Sequence, residues 1–226
     1  MSRWDGALEI GDGWARWHGL PGDASLHAHS AAQAVLGDCE AEDAAGGRQR
    51  APALLIDPRV VHRLHAVGAV ELLFVEPWAT ALPTTLRTSL DALPADTPRL
   101  SGSGDSWWTG WRAASAVDAP AATPWSQAAR DFIEARLPDG RIGLDALAAH
   151  LHLSPDHARH RLAAALGLPF KRYVLWRRLR LAALAIGRGS DATAAAHESG
   201  FADSAHLART LRAMFGVTIT QALRSA

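Results

Sequence analysis

One pattern occurs twice near the end of this 226-residue chain. The first copy runs from Leu147 to Gly167 and the second from Ala196 to Gly216, and a shift of 49 residues aligns them. In each copy a short apolar-faced stretch leads to a small polar residue, Ser154 or Asp203, and a second apolar-faced stretch ends at glycine. This order predicts two helices around a tight turn, with the polar residue capping the second helix.

The second helix of such a pair is shaped to enter the major groove of DNA. Ala158, Leu162 and Leu166 are expected to face the core in the first copy, and Leu207 and Leu211 in the second. The remaining positions point outward, where Arg and His donate to guanine and Ser bonds to several bases. The candidate DNA contacts are Asp156, His157, Arg159 and His160 in the first copy and Ser204, Ala205, His206, Arg209 and Arg212 in the second.

The net charge of zero conceals a difference between the two halves of the chain. Residues 1–124 carry 9 Lys and Arg against 15 Asp and Glu, whereas residues 125–226 carry 14 against 8. This favours a polyanion as the partner of the second half only, although such a surface is also typical of ordinary solvated proteins. Among the cations of residues 170–186, Arg172 and Arg177 are expected at phosphates, and Arg178 is expected to be buried against carboxylates.

Several classes of protein are excluded by what the sequence lacks. Cys39 is the single cysteine, so a disulfide framework and a cysteine zinc site are ruled out. The first ten residues do not have the pattern of a signal peptide, and no stretch approaches the roughly 20 apolar residues of a membrane span. Nucleophile-elbow and phosphate-loop motifs do not occur. We therefore expect a cytoplasmic protein that has no membrane partner.

The N-terminal part has short apolar or alternating stretches separated by Gly, Pro and Asp. These predict the strands of a small sandwich or barrel. Cys39–Arg50 is expected to be a polar loop, and Thr84–Leu93 to be a helix. Trp107, Trp108 and Trp111 are expected to pack between two domains, with contact to an effector or a second subunit as the alternative. The predicted strands are Trp14–His18, Gln33–Leu36, Ala53–Ile56, Val60–His65 and Ala69–Val75.

The C-terminal part is predicted to be all helical. Thr123 is suited to cap a helix with Pro124 at its first position. Leu144–Leu151 forms one apolar face, Ser154 starts the next helix, and 170–186 is the longest helix. The sequence thus predicts an α+β chain of two domains.

Two strings in this part are specific to one known family. They are Tyr173-x4-Arg178-Leu179-x2-Ala182 and Gly200-Phe201-x-Asp203-x3-Leu207-x-Arg209-x2-Arg212-x2-Phe215-Gly216. The segment 125–223 resembles the DNA-binding domain of the AraC/XylS family of bacterial transcription regulators. The resemblance implies seven helices, with two helix-turn-helix motifs (about 144–166 and 192–215) joined by a linker helix (about 170–186). It places base contacts on Asp156, Arg159, His160, Ser204, Ala205, His206 and Arg209.

Many members of that family carry a cupin-like sensor barrel, and the N-terminal part has traces of one. His27-x-His29-x3-Gln33 resembles the first cupin motif, with Gln where Glu is usual, and residues 56–62 resemble the second. The resemblance implies a small cupin-like β-barrel in 1–95, a linker in 96–124 and the DNA-binding domain in 125–226. Imidazoles at i and i+2 share one face of a strand, and a third from a facing strand completes a site for Zn, Fe, Mn or Ni. The candidate ligands are His27, His29, His62 and Gln33, with His65 supplementary; histidines of an ordinary strand surface are the alternative.

The expected function is a sequence-specific transcription regulator, activator or repressor, whose barrel senses a small molecule or a metal. Its expected partners are double-stranded DNA, a small-molecule effector, RNA polymerase if it activates, and a second copy of itself. The alternative is a cupin-type metal-dependent enzyme with an appended DNA-binding domain. A constitutive DNA binder whose barrel only dimerises is a third hypothesis. We favour the regulator, and expect no enzyme activity, because no nucleophile motif is present.

Overall fold

The computed structural model divides the chain into two units. Unit 1 comprises Met1–Ala119 and Leu211–Ala226, and unit 2 comprises Pro120–Thr210. The domain boundaries expected from the sequence remain a prediction, because units defined by packing need not fold independently. The structure describes residues 4–22, 24–66, 68–77, 79, 82–102, 106–115, 123–166 and 168–218.

Unit 1 is built on a seven-stranded sheet with the order β1-β2-β6-β3-β4-β7, in which β5 also pairs with β3. Its pairings are antiparallel except β4 with β7. The cupin-like barrel remains a prediction for this unit. The strands are β1 Asp5–Ile10, β2 Trp14–Leu20, β3 Ala32–Asp43, β4 Arg48–Ile56, β5 His62–Ala66, β6 Val70–Val75 and β7 Arg99–Leu100, and the helices are α1 Thr84–Asp91 and α2 Trp107–Ser115.

The long strand β3 organises this sheet. Its first half pairs with β6 and its second half with β5, while β4 runs along it as a hairpin. The register shifts between Leu36 and Cys39, where Gly37 has φ +126° and an added Cβ would lie 2.9 Å from Val70 Cγ1. Glycine is therefore required at this bulge.

The prediction of a polar loop at Cys39–Arg50 is wrong, because most of this segment belongs to β3 and β4. Cys39 and Ala41 are fully buried, whereas Glu40 and Glu42 on the other face each approach Arg48 within 3.2 Å. The alternation of inward and outward residues typical of a strand is present in this sequence, but the inward residues are small and the outward residues are charged. β1 was also not predicted.

Apolar residues cover both faces of the sheet. Neighbours along a strand point to opposite faces, so Leu54 and Leu55 fall into separate buried clusters. The second cluster contains Leu86 and Leu90 of α1 and Trp108 of α2. Trp108 is 1 % exposed, and its Nε1 donates to the Ile56 carbonyl at 3.1 Å. The tryptophans expected between two domains instead pack on the sheet of unit 1.

Unit 2 is helical, as predicted. Its helices follow one another through short turns, with α4 and α5 as one pair and α7 and α8 as the other. The last five residues of α8 group with unit 1. Six of the seven implied helices lie within residues 123–218; no described helix is long and apolar enough to cross a membrane. The helices are α3 Pro124–Glu134, α4 Leu144–His150, α5 Pro155–Leu166, α6 Phe170–Gly187, α7 Ala192–Glu198 and α8 Ser204–Phe215.

Candidate nucleic-acid interface and histidine cluster

Helix α5 begins after its predicted cap. The Ser154 hydroxyl accepts a hydrogen bond from the backbone N–H of His157 at 3.3 Å, which satisfies one of the donors at the start of the helix. Ala158, Leu162 and Leu166 are at most 3 % exposed and fix this face inward. The four predicted contacts of this helix are all exposed: Asp156, His157, Arg159 and His160.

Asp156 organises the exposed face of α5. Its carboxylate accepts from Arg159 Nη1 at 2.9 Å and lies 3.6 Å from His160 Nδ1. Both partners are largely exposed, and such surface pairs contribute only about 0–1 kcal/mol. Arg159 can therefore exchange the carboxylate for a base edge or a phosphate at little cost.

Helix α8 repeats this design. The Asp203 carboxylate accepts from the backbone N–H of His206 at 2.6 Å, and Leu207 is 1 % exposed. The His206 ring packs edge-on against Phe201, with 5.1 Å between centroids, and is only half-exposed. Of the other predicted contacts, Ser204 is half-buried, and Ala205, Arg209 and Arg212 are exposed.

The turn between α7 and α8 packs closely against the backbone of Leu137, which follows α3. Gly200 has φ +75°, and an added Cβ would lie 2.0 Å from the Leu137 carbonyl oxygen. Arg178 Nε donates to the same oxygen at 3.3 Å. Arg178 is buried as expected, but this acceptor is a carbonyl and not a carboxylate, and burial lowers the pKa of the guanidinium.

The buried arginine with a carboxylate partner is Arg177. It is 5 % exposed, and its Nε lies 2.5 Å from Glu134 Oε1. The expected phosphate contact at Arg177 is therefore wrong, because a guanidinium in this position is covered by α3 and neutralised. On the same helix Lys171 and Arg172 are exposed. They remain the candidates for phosphate contact from α6.

Three histidine rings of unit 1 meet in one buried group, here called the histidine cluster: His27, His29 and His62. The ring centroids lie 4.5 Å apart for His27 and His62, 5.1 Å for His29 and His62, and 5.8 Å for His27 and His29. One ring nitrogen from each lies within 4.8 Å of the others. His62 is the first residue of β5. His27 and His29 lie before β3, so the expectation that they share one face of a strand is wrong. His65 lies elsewhere, 3.6 Å from a Glu42 carboxylate oxygen.

Backbone hydrogen bonds fix the positions of these rings. His27 and His62 exchange N–H to carbonyl bonds of 3.0 and 2.9 Å, and the His29 carbonyl accepts from Arg59 N–H at 2.8 Å. Arg59 has φ +66° in the turn from Asp57 to Val60. A side chain in this left-handed conformation is strained, and the strain is borne where the chain turns toward His62.

Each ring Nδ1 of the histidine cluster faces a backbone carbonyl two residues away. The distances are 2.8 Å to Ser25, 2.7 Å to Ala31 and 2.9 Å to Val60 for His27, His29 and His62 respectively. A carbonyl only accepts, so a proton on each Nδ1 satisfies all three contacts, and each neutral ring then presents its Nε2 lone pair. The sequence spacing of the histidines carried no sign of these three carbonyls.

Gln33 joins two of the rings. Its Oε1 lies 2.9 Å from His29 Nε2 and 3.1 Å from His62 Nε2, and the residue is 3 % exposed. With a proton on each Nδ1, the amide oxygen and the two ring lone pairs are three acceptors directed at one point. Such a set of acceptors suits a bound cation.

Burial keeps the cluster neutral. It lowers the pKa of His27 to about 4, with the charge of His29 as the second cause. Burial also lowers the pKa of His29 and, more strongly, that of His62, where repulsion from His29 and His27 adds to the effect. In the second half of β3, burial raises the pKa of the Cys39 thiol to about 12, so this cysteine is protonated and unreactive.

Acid is expected to destabilise unit 1 through this cluster. An unfolded chain protonates His27 near pH 6.5, whereas the folded chain does so only near pH 4. The unfolded state therefore binds more protons in this window, and the free energy of unfolding falls by about 1.4 kcal/mol per pH unit for this residue as pH decreases. Urea unfolding across the window measures the slope. His27→Gln should reduce it and His18→Gln, on the exposed side of β2, should not; a slope insensitive to His27→Gln contradicts the assignment.

Comparisons with known proteins bear on both units. The family described as a helix-turn-helix domain matches residues 147–225, and no curated protein matches the sequence. Apo ToxT K231A from Vibrio cholerae strain SCE256 is similar at a TM-score of 0.58 and 9% identity, over 96% of this chain and 99% of that chain. ToxT from Vibrio cholerae O395 gives 0.56 and 9% identity, over 94% and 98%.

A third solved structure is wild-type ToxT from strain SCE256 with an unsaturated fatty acid bound. Its TM-score is 0.53 at 9% identity, over 100% of this chain and 95% of that chain. At such identities the likeness shows a shared fold alone. The resemblance seen in the sequence is confirmed for the C-terminal part: residues 147–225 match a helix-turn-helix domain of the AraC type.

Proposed function

We propose that this protein is a sequence-specific DNA-binding transcription regulator that reads base edges with α5 and α8. The observation that carries the proposal is the repeated design of the two helices. Each is capped by a residue 49 positions from its counterpart, each buries its apolar face, and each exposes polar and cationic side chains. Such helices fit the major groove, and their outward side chains are the ones that can discriminate bases.

The proposed roles follow from side-chain chemistry. Arg159 and Arg209 donate to guanine O6 and N7, and Asp156 accepts from cytosine N4. Ser204 and His206 flank the second contact, although the packing of His206 on Phe201 restricts its reach. The remaining candidates, His157, His160, Ala205 and Arg212, add contacts to bases or to the adjacent backbone.

We propose that unit 1 is the sensor. Phe215 is the last residue of α8, and its ring stacks on His29 with 6.1 Å between centroids. The Gly216 carbonyl accepts from the Ser25 N–H at 3.0 Å, and Ser25 in turn holds His27. A small molecule or metal at the cluster would thus act on the end of a base-reading helix and shift the population competent for DNA. Homodimers, and RNA polymerase if the protein activates, are the further proposed partners.

The test uses the full chain and a fluorescent duplex of random sequence. We expect salt-sensitive binding, because phosphate neutralisation releases counterions. Arg159→Ala combined with Arg209→Ala should weaken it, whereas Arg48→Ala with Arg50→Ala, exposed residues of β4, should not. Binding that is independent of salt or equally sensitive to both pairs would contradict the proposal. Zinc and an unsaturated fatty acid are the effectors to add first, the latter because ToxT has been solved with one.

Arg172→Ala is expected to change the salt dependence but not the base preference. Arg172 is exposed on α6, where it suits a phosphate. The slope of log K against log salt is negative, and loss of one phosphate contact makes it less negative by about 0.9. Anisotropy titrations at four salt concentrations give the slope, with Arg48→Ala as the control. An unchanged slope for Arg172→Ala would remove this residue from the interface.

A further inference from the structure

We propose that His27, His29 and His62 bind one divalent transition-metal ion through their Nε2 atoms, with the Gln33 amide oxygen as a fourth ligand. The ion would be zinc, nickel, cobalt or ferrous iron, since imidazole prefers these to magnesium or calcium. The inference deepens the proposed function, on which its regulatory meaning rests, by giving the sensor a ligand class. The binding itself depends only on the geometry of unit 1.

The distances are close to those of a metal site. One nitrogen from each ring lies within 4.8 Å of the others. Two ligands at metal–nitrogen distances of about 2.0–2.1 Å lie about 3.4 Å apart in a tetrahedron. The nitrogens must therefore approach one another by at most about 1.4 Å, which rotations about the side-chain bonds supply. His29 is also bordered by Phe74, whose ring centroid lies 5.2 Å away.

The tautomers are already those that a metal needs. Ligating histidines bind with one nitrogen and usually donate the other N–H to a carboxylate or a backbone carbonyl, which fixes the ring and raises its basicity. All three rings have this second hydrogen bond, to Ser25, Ala31 and Val60. Ordinary histidines of a strand surface do not require three matched acceptors, so this observation separates a built site from a chance group.

Gln33 completes the donor set. Its Oε1 already lies 2.9 Å from His29 Nε2 and 3.1 Å from His62 Nε2. The amide oxygen is therefore placed beside the ring lone pairs that would hold the ion. All four side chains are at most 9 % exposed, so their ordering is largely complete before the ion arrives. Three neutral rings and an amide do not offset the charge of the ion, so the affinity should be below that of a site with a carboxylate.

The test is metal titration of untagged, metal-free full-length protein. Cobalt(II) should give visible d–d absorption that saturates at one ion per chain, and zinc should displace it. Zinc should also raise the midpoint of thermal unfolding, because it binds only the folded state. His62→Gln should weaken zinc binding by more than about 100-fold, whereas His18→Gln, at an exposed strand position, should leave it unchanged. Saturable cobalt absorption that survives His62→Gln would overturn the proposal, as would no absorption at all.

Gln33→Glu tests the site by gain instead of loss. A carboxylate adds charge at the fourth position, so zinc should bind about 10-fold tighter or more, and the zinc-dependent rise in the unfolding midpoint should increase. This variant keeps the proposal falsifiable if His62→Gln does not fold; equal or weaker zinc binding would overturn it. Random-duplex binding measured on the same wild-type samples separates the two proposals, since a failed metal site leaves metal-free DNA binding intact.

Discussion

Arg209→Ala is expected to weaken binding to the preferred duplex by about 5- to 150-fold, with the loss confined to one base position. Arg209 is exposed on α8 and lies outside the core that Leu207 fixes. A bidentate contact to guanine discriminates by about 1–3 kcal/mol, which corresponds to that range. Competition titrations with duplexes substituted at each position identify the base that the wild type prefers and the variant does not.

The matched control for this prediction is Arg188→Ala. Arg188 is also exposed, but it belongs to neither base-reading helix: it follows α6 and pairs with Glu198 of α7 at 2.9 Å. It should leave base preference and affinity nearly unchanged. If Arg209→Ala weakens all duplexes equally, Arg209 contacts phosphate and its role as a base reader is wrong.

Gly200→Ala is expected to lower the free energy of unfolding by about 2–5 kcal/mol, because two costs combine. The left-handed backbone at φ +75° disfavours a side chain, and the added Cβ would lie 2.0 Å from the Leu137 carbonyl oxygen. The Leu137 carbonyl also accepts a hydrogen bond from Arg178 Nε, so the clash cannot be relieved without disturbing this second contact. Far-UV circular dichroism during urea unfolding measures the change.

Gly187→Ala serves as the control for Gly200→Ala. An added Cβ at Gly187, the last residue of α6, meets nothing within 4 Å. Alanine is a better helix former than glycine by about 1 kcal/mol, so stability should stay the same or rise. Equal stabilities of Gly200→Ala and the wild type would show that the turn between α7 and α8 tolerates a side chain, against the packing described here.

The helices of unit 2 could be predicted because their signals are local. Ser154 caps α5 and Asp203 caps α8, as their sequence positions indicated. The apolar spacing in α5 gave the inward residues directly. What the spacing could not supply was the choice between neighbouring arginines, since the fold gives Arg177 the Glu134 carboxylate and Arg178 the Leu137 carbonyl as partners.

The sheet of unit 1 was harder to predict because its pairing is nonlocal. The hairpin of β3 and β4 has Cys39 and Ala41 as inward residues, which carry little hydrophobic signal. The His27, His29 and His62 group was foreseen from motif spacing, and the rings do meet. The three carbonyls that set their tautomers, and the Phe215 ring against His29, depend on the folded chain and could not be read from sequence.

The central claim is that α5 and α8 read a DNA sequence. It is tested most directly by selecting duplexes bound by the full-length protein from a randomised library near physiological salt, with and without zinc. We expect enrichment of one bipartite motif, with its halves about one helical turn apart, and a change in its recovery when zinc is present. Salt-sensitive retention of duplexes with no enriched motif, with or without zinc, would contradict sequence-specific recognition by these helices.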